Sequence, residues 1–404
     1  MTGRPGEAKP PVLLGAVAWP LLWVLIFSIP WEKSLMVAGV GTITRLLGVL
    51  AVLAGIAAVI QRRSFRRPNL ALLLAAAFVL WNAMTLLWSY APAATEAKVL
   101  TLGQLLVMLW LIWELCGTAS RQTALMAAYV AGAAVSSVLT ILRFAQGLQT
   151  YYRRYAATGF EPNDLGLTVA LSIPLALHLA SRGRGALRWV WRGAVALAIA
   201  AILLSASRTA LVVSYAAFAY PLWTWRKSDL SQRTSCVVLF SLLVLGPLYL
   251  APHSSRQRLA TLLAEDTTGN LHSRKQIWKS GLRVLLFERP LIGVGAGAYP
   301  EAVRPRLGTP AIAGHQYVAH NTYLSVLVES GLIGFGLFAL TILVLAAFVW
   351  MLPSTERALW SVMLLVCGVG VTTLTWEHRK PVWFMAALIT TAWARSFRPE
   401  GEPR

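Results

Sequence analysis

The chain has 404 residues, of which 57% are hydrophobic and only 13% are charged. Because a soluble globular protein carries about 25% charged residues, this composition excludes a soluble domain and predicts an all-α polytopic membrane protein. The formal net charge of +20 is explained in part by basic cytoplasmic loops. We expect membrane lipids, and no nucleic acid, among its partners.

Twelve stretches are apolar enough to form spanning helices, which need roughly 17–25 residues. They lie at 12–29, 35–60, 69–89, 98–116, 122–146, 163–180, 188–205, 208–225, 234–250, 321–350, 357–375 and 381–395. The first has a basic start but no small-residue cleavage site, so we expect a retained helix rather than a removed signal peptide. No second domain is evident, and residues 1–404 are predicted to form a single transmembrane domain.

The basic residues predict the orientation of these spans. With the N-terminus inside, the inner loops carry the clusters Arg62–Arg67, Arg182–Arg192 and Arg226–Arg233, and Lys and Arg mark cytoplasmic loops. Both termini are therefore predicted to be cytoplasmic. The long polar segment 251–320, between spans nine and ten, then lies outside. It holds more Lys and Arg than Asp and Glu, which suits either lipid headgroups or a phosphorylated substrate.

A tight outer turn, SASRTA at residues 205–210, separates spans seven and eight. Ser207 is predicted to cap the eighth helix, which places Arg208 in its first turn. The helix dipole disfavours a cation there, whereas the free N–H groups of the same turn attract anions. Arg208 therefore either reaches lipid headgroups or takes part in a phosphate site.

Within the long outer segment, residues 272–290 predict a helix. Ser273 and Gln276 fit an S-x-x-Q capping box at its start. Arg274 is aligned with the apolar residues of this helix rather than with its other cations. It also occupies a first helical turn, where its charge opposes the dipole. Arg274 is therefore a second candidate for binding phosphate.

The other cations of this helix form a separate face. Lys275, Lys279 and Arg283 recur every four residues opposite the apolar side, which predicts a basic amphipathic helix lying on a membrane surface. We expect these three side chains to contact lipid headgroups or the phosphates of a substrate.

The motif AHNTYLSVLVESGLIG marks the start of span ten. Either His320 or Asn321 is predicted to begin this helix, and both are candidate site residues. A histidine at a helix N-terminus near arginines stays neutral, and a neutral imidazole can accept a proton as a general base. His315 is a weaker competitor for this role.

Glu329 lies deeper in the same span, where a carboxylate is costly unless it is paired. Arg45 and Arg143 are candidate partners, and we expect a structural role for this residue.

Two further motifs carry polar groups on the outer side. In GFEPNDLG, Asn163 or Asp164 either caps the sixth span or hydrogen-bonds a sugar hydroxyl. The glycine-rich GVGAGAY, residues 293–299, follows no strand and is predicted to be a flexible turn. The outer segments contain no clustered acidic pair that would hold Mg²⁺ or Mn²⁺.

Taken together, these motifs resemble the bacterial O-antigen ligases. Their superfamily also contains O-antigen polymerases and O-linked oligosaccharyltransferases. The resemblance rests on the SxSR turn, on the outer loop with an arginine before a tryptophan-containing helix and PLIGVG, and on the HNxxL…ESGLIG re-entry.

The resemblance implies a GT-C-type glycosyltransferase of the bacterial inner membrane that acts at the periplasmic face without a metal or a nucleotide-sugar cofactor. It would move O-antigen polysaccharide from undecaprenyl diphosphate to lipid A–core, with residues 251–320 as the periplasmic loop. The essential arginines of the family correspond to Arg208 and Arg274, and its essential histidine to His320.

Three alternatives use other acceptors or another activity. An O-antigen polymerase would use the same groups on a lipid-linked acceptor, and an O-linked oligosaccharyltransferase would modify protein. A transporter of lipid-linked glycans would need ionisable residues along a path across the bilayer. The spans of this chain hold few such residues, which disfavours the transporter.

Overall fold

The computed structural model describes residues 13–397 except 38, 40, 151–153, 250, 253–255, 257–269 and 308–316. Its α-helices are α1 (Leu13–Ser28), α2 (Ile43–Arg62), α3 (Leu70–Met84), α4 (Pro92–Leu115), α5 (Ala119–Ala145), α6 (Pro162–Ala170), α7 (Ser172–Arg182), α8 (Ala186–Ser205), α9 (Arg208–Ala217), α10 (Ala219–Trp223), α11 (Leu230–Tyr249), α12 (Asn270–Phe287), α13 (Tyr299–Val303), α14 (Thr322–Trp350), α15 (Ser354–Gly370) and α16 (Lys380–Ser396). Strands β1 (Met36–Val37) and β2 (Gly41–Thr42) form a short antiparallel ribbon.

Nine of the twelve predicted spans coincide with described helices that are long and apolar enough to cross a membrane, from Gly15–Ser34 to Thr322–Trp350. This confirms a mostly helical, polytopic membrane protein. The three remaining predictions also coincide with helices, but these are shorter. Helix α9 has 10 residues and is followed by α10, while α15 and α16 have 17 residues each.

The apolar residues form two clusters. The larger one fills the space between the membrane helices. The smaller one joins α12 and α13 to the first half of α14 through Val284, Tyr299 and Val328, all of which are buried. The described residues 270–307 therefore pack against one end of the helix bundle, which we call the loop end.

Helix α14 is interrupted at Gly331, whose φ of 68° and ψ of −171° are not helical. The segment 290–295 inserts at this break and bonds to the backbone on both sides of it. Four hydrogen bonds make this connection: Leu332 N to Pro290 O (2.9 Å), Ile333 N to Leu291 O (3.1 Å), Val294 N to Val328 O (3.1 Å) and Gly295 N to Glu329 O (2.9 Å). A broken helix is tolerated in a membrane when protein groups satisfy its freed backbone.

The expectation of a flexible turn at GVGAGAY is wrong, because this segment is buried and bonded at the break. A Cβ on Gly293 would lie 2.4 Å from Glu329 O, and a Cβ on Gly295 would lie 2.3 Å from Ser89 Oγ. The glycines are needed because two backbones approach closely, and no phosphate is required to explain them.

Substitution Gly331→Ala should destabilise the protein. The new Cβ would lie 2.3 Å from Leu291 O at a positive φ, and backbone strain of this kind costs about 1–3 kcal/mol by itself. We expect a lower melting temperature for the detergent-purified protein, measured by circular dichroism. The matched control is Gly336→Ala in the same helix, where a Cβ has no neighbour within 4 Å. Equal melting temperatures for the two variants would contradict this account.

Candidate functional site

The turn before α14 places His320 outside the helix. Asn321 is the N-cap, and its side chain accepts a hydrogen bond from Leu324 N at 3.1 Å. Of the two residues predicted to begin the helix, Asn321 therefore does so. His320 has a φ of 46°, in the left-handed region that non-glycine residues seldom adopt. Such strained positions cluster at functional sites, and this one is half-buried at the loop end. His315 lies outside the described residues.

Residues 319–322 are held between two other parts of the chain. On one side, Trp278 Nε1 of α12 donates to Ala319 O at 2.7 Å. On the other side, the connection between α15 and α16 provides further bonds. These are Thr322 N to Val371 O (2.9 Å), Thr322 Oγ1 to Leu374 O (2.8 Å) and Trp376 N to Thr322 Oγ1 (2.8 Å). The backbone that carries His320 is therefore fixed relative to α12 and to residues 371–376.

Arg274 lies one helical turn before Trp278, on the same side of α12. Because Trp278 bonds Ala319 next to His320, the side of α12 that carries Arg274 is the side that contacts the His320 turn, one helical turn further along. The predicted capping box is not the start of this helix. Helix α12 begins at Asn270, three residues before Ser273, so Ser273 lies within the first turn.

Arg208 begins α9, directly after its cap. Ser207 is the N-cap, as predicted, with its hydroxyl accepting from Ala210 N at 3.3 Å. Ala206 takes a left-handed conformation, which reverses the chain between α8 and α9. Thr209 Oγ1 lies 2.7 Å from Thr373 Oγ1. The Arg208 turn and the His320 turn therefore bond to the same segment, residues 371–376.

The prediction that Asn163 or Asp164 caps the sixth span is wrong. Glu161 is the N-cap of α6, and its carboxylate accepts from Asn163 N at 2.8 Å and from Asp164 N at 3.0 Å. The side chain of Glu161 is longer than that of Asn or Asp, and its carboxylate lies over the first turn of α6, where the helix dipole favours a negative charge. The Asn163 amide bonds Glu161 and accepts from Arg154 Nη1 at 3.0 Å.

Asp164 joins α6 to the start of α16. Its carboxylate accepts from Lys33 Nζ at 3.2 Å, from Arg379 Nη2 at 3.0 Å and from Trp376 Nε1 at 3.0 Å. Helix α6 also touches α9, since a Cβ on Gly166 would lie 2.7 Å from the Ala210 side chain. The elements that carry Asp164 and Arg208 are thus in direct contact.

The partner of Glu329 is Lys98, and not Arg45 or Arg143. Lys98 Nζ lies 2.5 Å from Glu329 Oε2 and 2.5 Å from Glu377 Oε1. Gly297 N also donates to Glu329 Oε2, at 2.7 Å. We call Lys98, Glu329 and Glu377 the buried charge triad. It links α4, the broken helix α14 and the connection that leads to α16.

Sequence reasoning missed the triad because Lys98 and Glu377 are 279 residues apart. Lys98 stands at the very start of the predicted span 98–116, and Glu377 stands in an ordinary charged run, WEHRK. Burial alone would raise the pKa of the Glu377 carboxyl. The Lys98 ammonium and the neighbouring His378 outweigh burial and hold that pKa well below its usual range.

The cations at the loop end differ in their surroundings. Lys275, Lys279 and Arg283 are exposed on α12, as predicted, whereas Arg208 and Arg274 are half-buried. Within the described part of the chain, no three His, Cys, Asp or Glu side chains cluster closely enough to hold a metal ion.

The comparison with protein-family models gives a match. Residues 193–339 match a family model described as O-antigen ligase, which supports the resemblance drawn from the motifs. The matched region contains Arg208, Arg274 and His320. It ends before residues 371–376, the segment to which the turns of Arg208 and His320 bond. No curated protein matches the chain.

Substitution Lys98→Met should destabilise the protein strongly. It leaves two buried carboxylates without their cation, and breaking a buried pair in this way costs about 3–5 kcal/mol. We expect a markedly lower melting temperature at neutral pH. Lys227→Met is the control, because Lys227 is exposed and bonds only Ser354 Oγ among the described residues.

The stabilities of the wild type and of Lys98→Met should change in opposite directions as the pH falls. The lowered pKa of Glu377 contributes stability to the wild type that is present above its unfolded pKa and is lost as the pH falls. Without Lys98, burial favours the protonated form of the Glu377 carboxyl. The deficit of Lys98→Met should therefore shrink on acidification from about pH 7.5 to about pH 5.5. Melting curves with a constant deficit over this range would contradict the assignment.

Proposed function

We propose that this member of the O-antigen ligase superfamily is a metal-independent glycosyltransferase of the bacterial inner membrane. It moves O-antigen polysaccharide from undecaprenyl diphosphate to lipid A–core at the periplasmic face. The proposal is carried by one observation. The turns that bear Arg208 and His320 bond to residues 371–376, and α12 with Arg274 bonds to the His320 turn. The elements that carry Arg208, Arg274 and His320 therefore meet at one end of the bundle, which supports a shared site.

The reaction is a displacement at the anomeric carbon of the donor sugar. Neutral His320 takes the proton from an acceptor hydroxyl, and the resulting oxygen attacks the anomeric carbon from the side opposite the diphosphate. The bond to undecaprenyl diphosphate breaks and the configuration inverts. The two guanidinium groups, Arg208 and Arg274, bind the charge that develops on the leaving group. The N–H groups in the first turn of α9 add to this stabilisation.

The remaining predicted residues are assigned to substrate binding. Ser207 caps α9, which begins at Arg208, and Asn321 caps α14, which begins just after His320. We propose that both side chains lie at the edge of the bound substrate. Asn163 and Asp164 are proposed to contact sugar hydroxyls from the start of α6.

The exposed face of α12 favours lipid A–core as the acceptor over the lipid-linked acceptor of a polymerase. Lys275, Lys279 and Arg283 share this face with Leu286 and Phe287, which are 64% and 81% exposed. Along this face the three cations are followed by the two apolar side chains, which suits a molecule that carries phosphates next to acyl chains. We propose that this face holds the acceptor against the membrane surface.

Removing the catalytic groups should abolish transfer without unfolding the protein. Arg208→Ala and Arg274→Ala should each lower the rate about 10²–10³-fold, the usual loss for one preorganised charge-stabilising donor. The lysine variants should not restore it if the guanidinium contacts phosphate at two points. His320→Ala should lack activity, measured as polysaccharide attached to purified lipid A–core.

Arg304→Ala is the control, because Arg304 is exposed and pairs with Glu301 on the surface. Full activity of His320→Ala would remove the histidine from the mechanism. Loss of activity with EDTA would contradict metal independence. A product that stays on undecaprenyl diphosphate would identify a polymerase, and a product on protein an oligosaccharyltransferase.

Reversing the charge of the α12 face should weaken acceptor binding rather than chemistry. In the triple variant Lys275→Glu, Lys279→Glu, Arg283→Glu, we expect a higher apparent KM for lipid A–core and little change in kcat, because these side chains lie on the exposed face of α12 and not on the side that carries Arg274. Steady-state assays at varied acceptor concentration measure both constants. An unchanged KM would exclude this face from acceptor binding.

A further inference from the structure

The end of the bundle opposite the loop end carries a separate pair of cations. Helix α8 ends at Ser205, which leads into the Arg208 turn at the loop end. At 1.5 Å per residue, the first two turns of α8 lie roughly 20–30 Å from that turn. Arg188 and Arg192 stand in these first turns, four residues apart and therefore on the same side of the helix. Neither has a part in the proposed reaction.

Arg192 is a buried cation without an acidic partner. It is 6% exposed, and its Nη1 donates to Ser231 Oγ of α11 at 2.8 Å. Its guanidinium lies 4.5 Å from the centre of the Trp189 ring. Among the described residues, no carboxylate lies within ion-pair distance of this guanidinium. A buried charge is costly unless it is paired, so the position of Arg192 calls for an anion.

The neighbouring Arg188 adds to this excess of positive charge. Its Nη1 pairs with Asp229 Oδ2 at 3.3 Å, whereas its Nε is buried and has no partner among the described residues. Like charges four residues apart on a helix repel each other. Two cations and one carboxylate leave one positive charge, together with guanidinium donors that a phosphate could accept from.

The surroundings of the two arginines are apolar and exposed, which points to a lipid as the source of the phosphate. Trp189 and Leu230 are 60% and 79% exposed, and tryptophan beside cations is typical of the level of the lipid headgroups. Helices α8 and α11 are both long and apolar enough to cross a membrane. Val237 and Val238 continue the exposed apolar surface along α11, where acyl chains can lie.

We propose that Arg188, Arg192 and Ser231 bind the phosphate of an anionic phospholipid, whose acyl chains lie along the exposed surface of α11. A net negative headgroup is selected because it balances the single excess charge. A zwitterionic headgroup brings an ammonium group of its own and leaves that charge in place. The proposal does not depend on the glycosyltransferase function, because the site stands at the other end of the bundle.

The test uses the full-length protein, purified in detergent and freed of bound lipid. Phosphatidylglycerol is the anionic probe, phosphatidylcholine is the zwitterionic one, and inorganic phosphate represents a headgroup without chains. Native mass spectrometry measures the lipid retained by the wild type, by Arg192→Gln and by Arg192→Lys. Melting temperatures are recorded with and without each probe.

The wild type should retain phosphatidylglycerol in preference to phosphatidylcholine, and its melting temperature should rise with phosphatidylglycerol alone. Arg192→Gln should bind this lipid about tenfold more weakly, the usual effect of losing one hydrogen bond to a charged group. Arg192→Lys keeps the charge and should retain part of the affinity. Without lipid, Arg192→Gln should be at least as stable as the wild type, because the substitution removes a buried cation that has no anion.

Arg67→Gln is the matched control and should bind phosphatidylglycerol like the wild type. Arg67 is exposed in the connection after α2. Arg62, at the start of this connection, bonds Glu114 at the end of α4 that is remote from the loop end. The control therefore removes an arginine from the same end of the bundle.

Three outcomes would overturn the lipid site. The first is equal retention of the two phospholipids by the wild type. The second is a rise in melting temperature with phosphatidylglycerol that is the same in the wild type and in Arg192→Gln. The third is an equal rise with inorganic phosphate alone, which would identify a site for a free anion.

Discussion

The break in α14 at Gly331 is the constraint on which the loop end depends. In hydrocarbon, each backbone group freed by a broken helix must find a partner within the protein. Residues 290–295 supply those partners, and Gly293 and Gly331 allow the two backbones to approach. The motifs PLIGVG and ESGLIG are thus two halves of one backbone junction. Their glycines serve this packing and not a bound phosphate.

The buried charge triad reinforces the same junction. Lys98 neutralises much of the charge of two carboxylates that are 5% and 2% exposed, Glu329 on α14 and Glu377 before α16. A charge buried this deeply is stable only when it is paired and hydrogen-bonded. The triad therefore fixes the position of the helix that follows His320 relative to the connection that contains residues 371–376.

The connection between α15 and α16 joins the region that matches the family model to the rest of the structure. Residues 193–339 contain both arginines and the histidine of the proposed mechanism. The segment to which the turns of Arg208 and His320 bond, residues 371–376, lies outside this match. The residues of the proposed mechanism belong to the matched region. The relative positions of the elements that carry them depend on contacts with the first and last spans. The carboxylates Glu329 and Glu377 are both paired with Lys98, which gives them a structural role.

Hydropathy and local capping chemistry were sufficient to predict the helical membrane fold, the positions of nine spans among the described helices and the cap at Ser207, and they narrowed the start of α14 to His320 or Asn321. Those features depend on residues within one or two helical turns of each other, so they can be predicted from local sequence. The partner of Glu329, the cap of α6 at Glu161 and the insertion of the glycine segment were decided only by the tertiary structure. Each depends on which distant groups the packing of the helices brings into contact, and a cation 231 residues from its carboxylate leaves no local pattern.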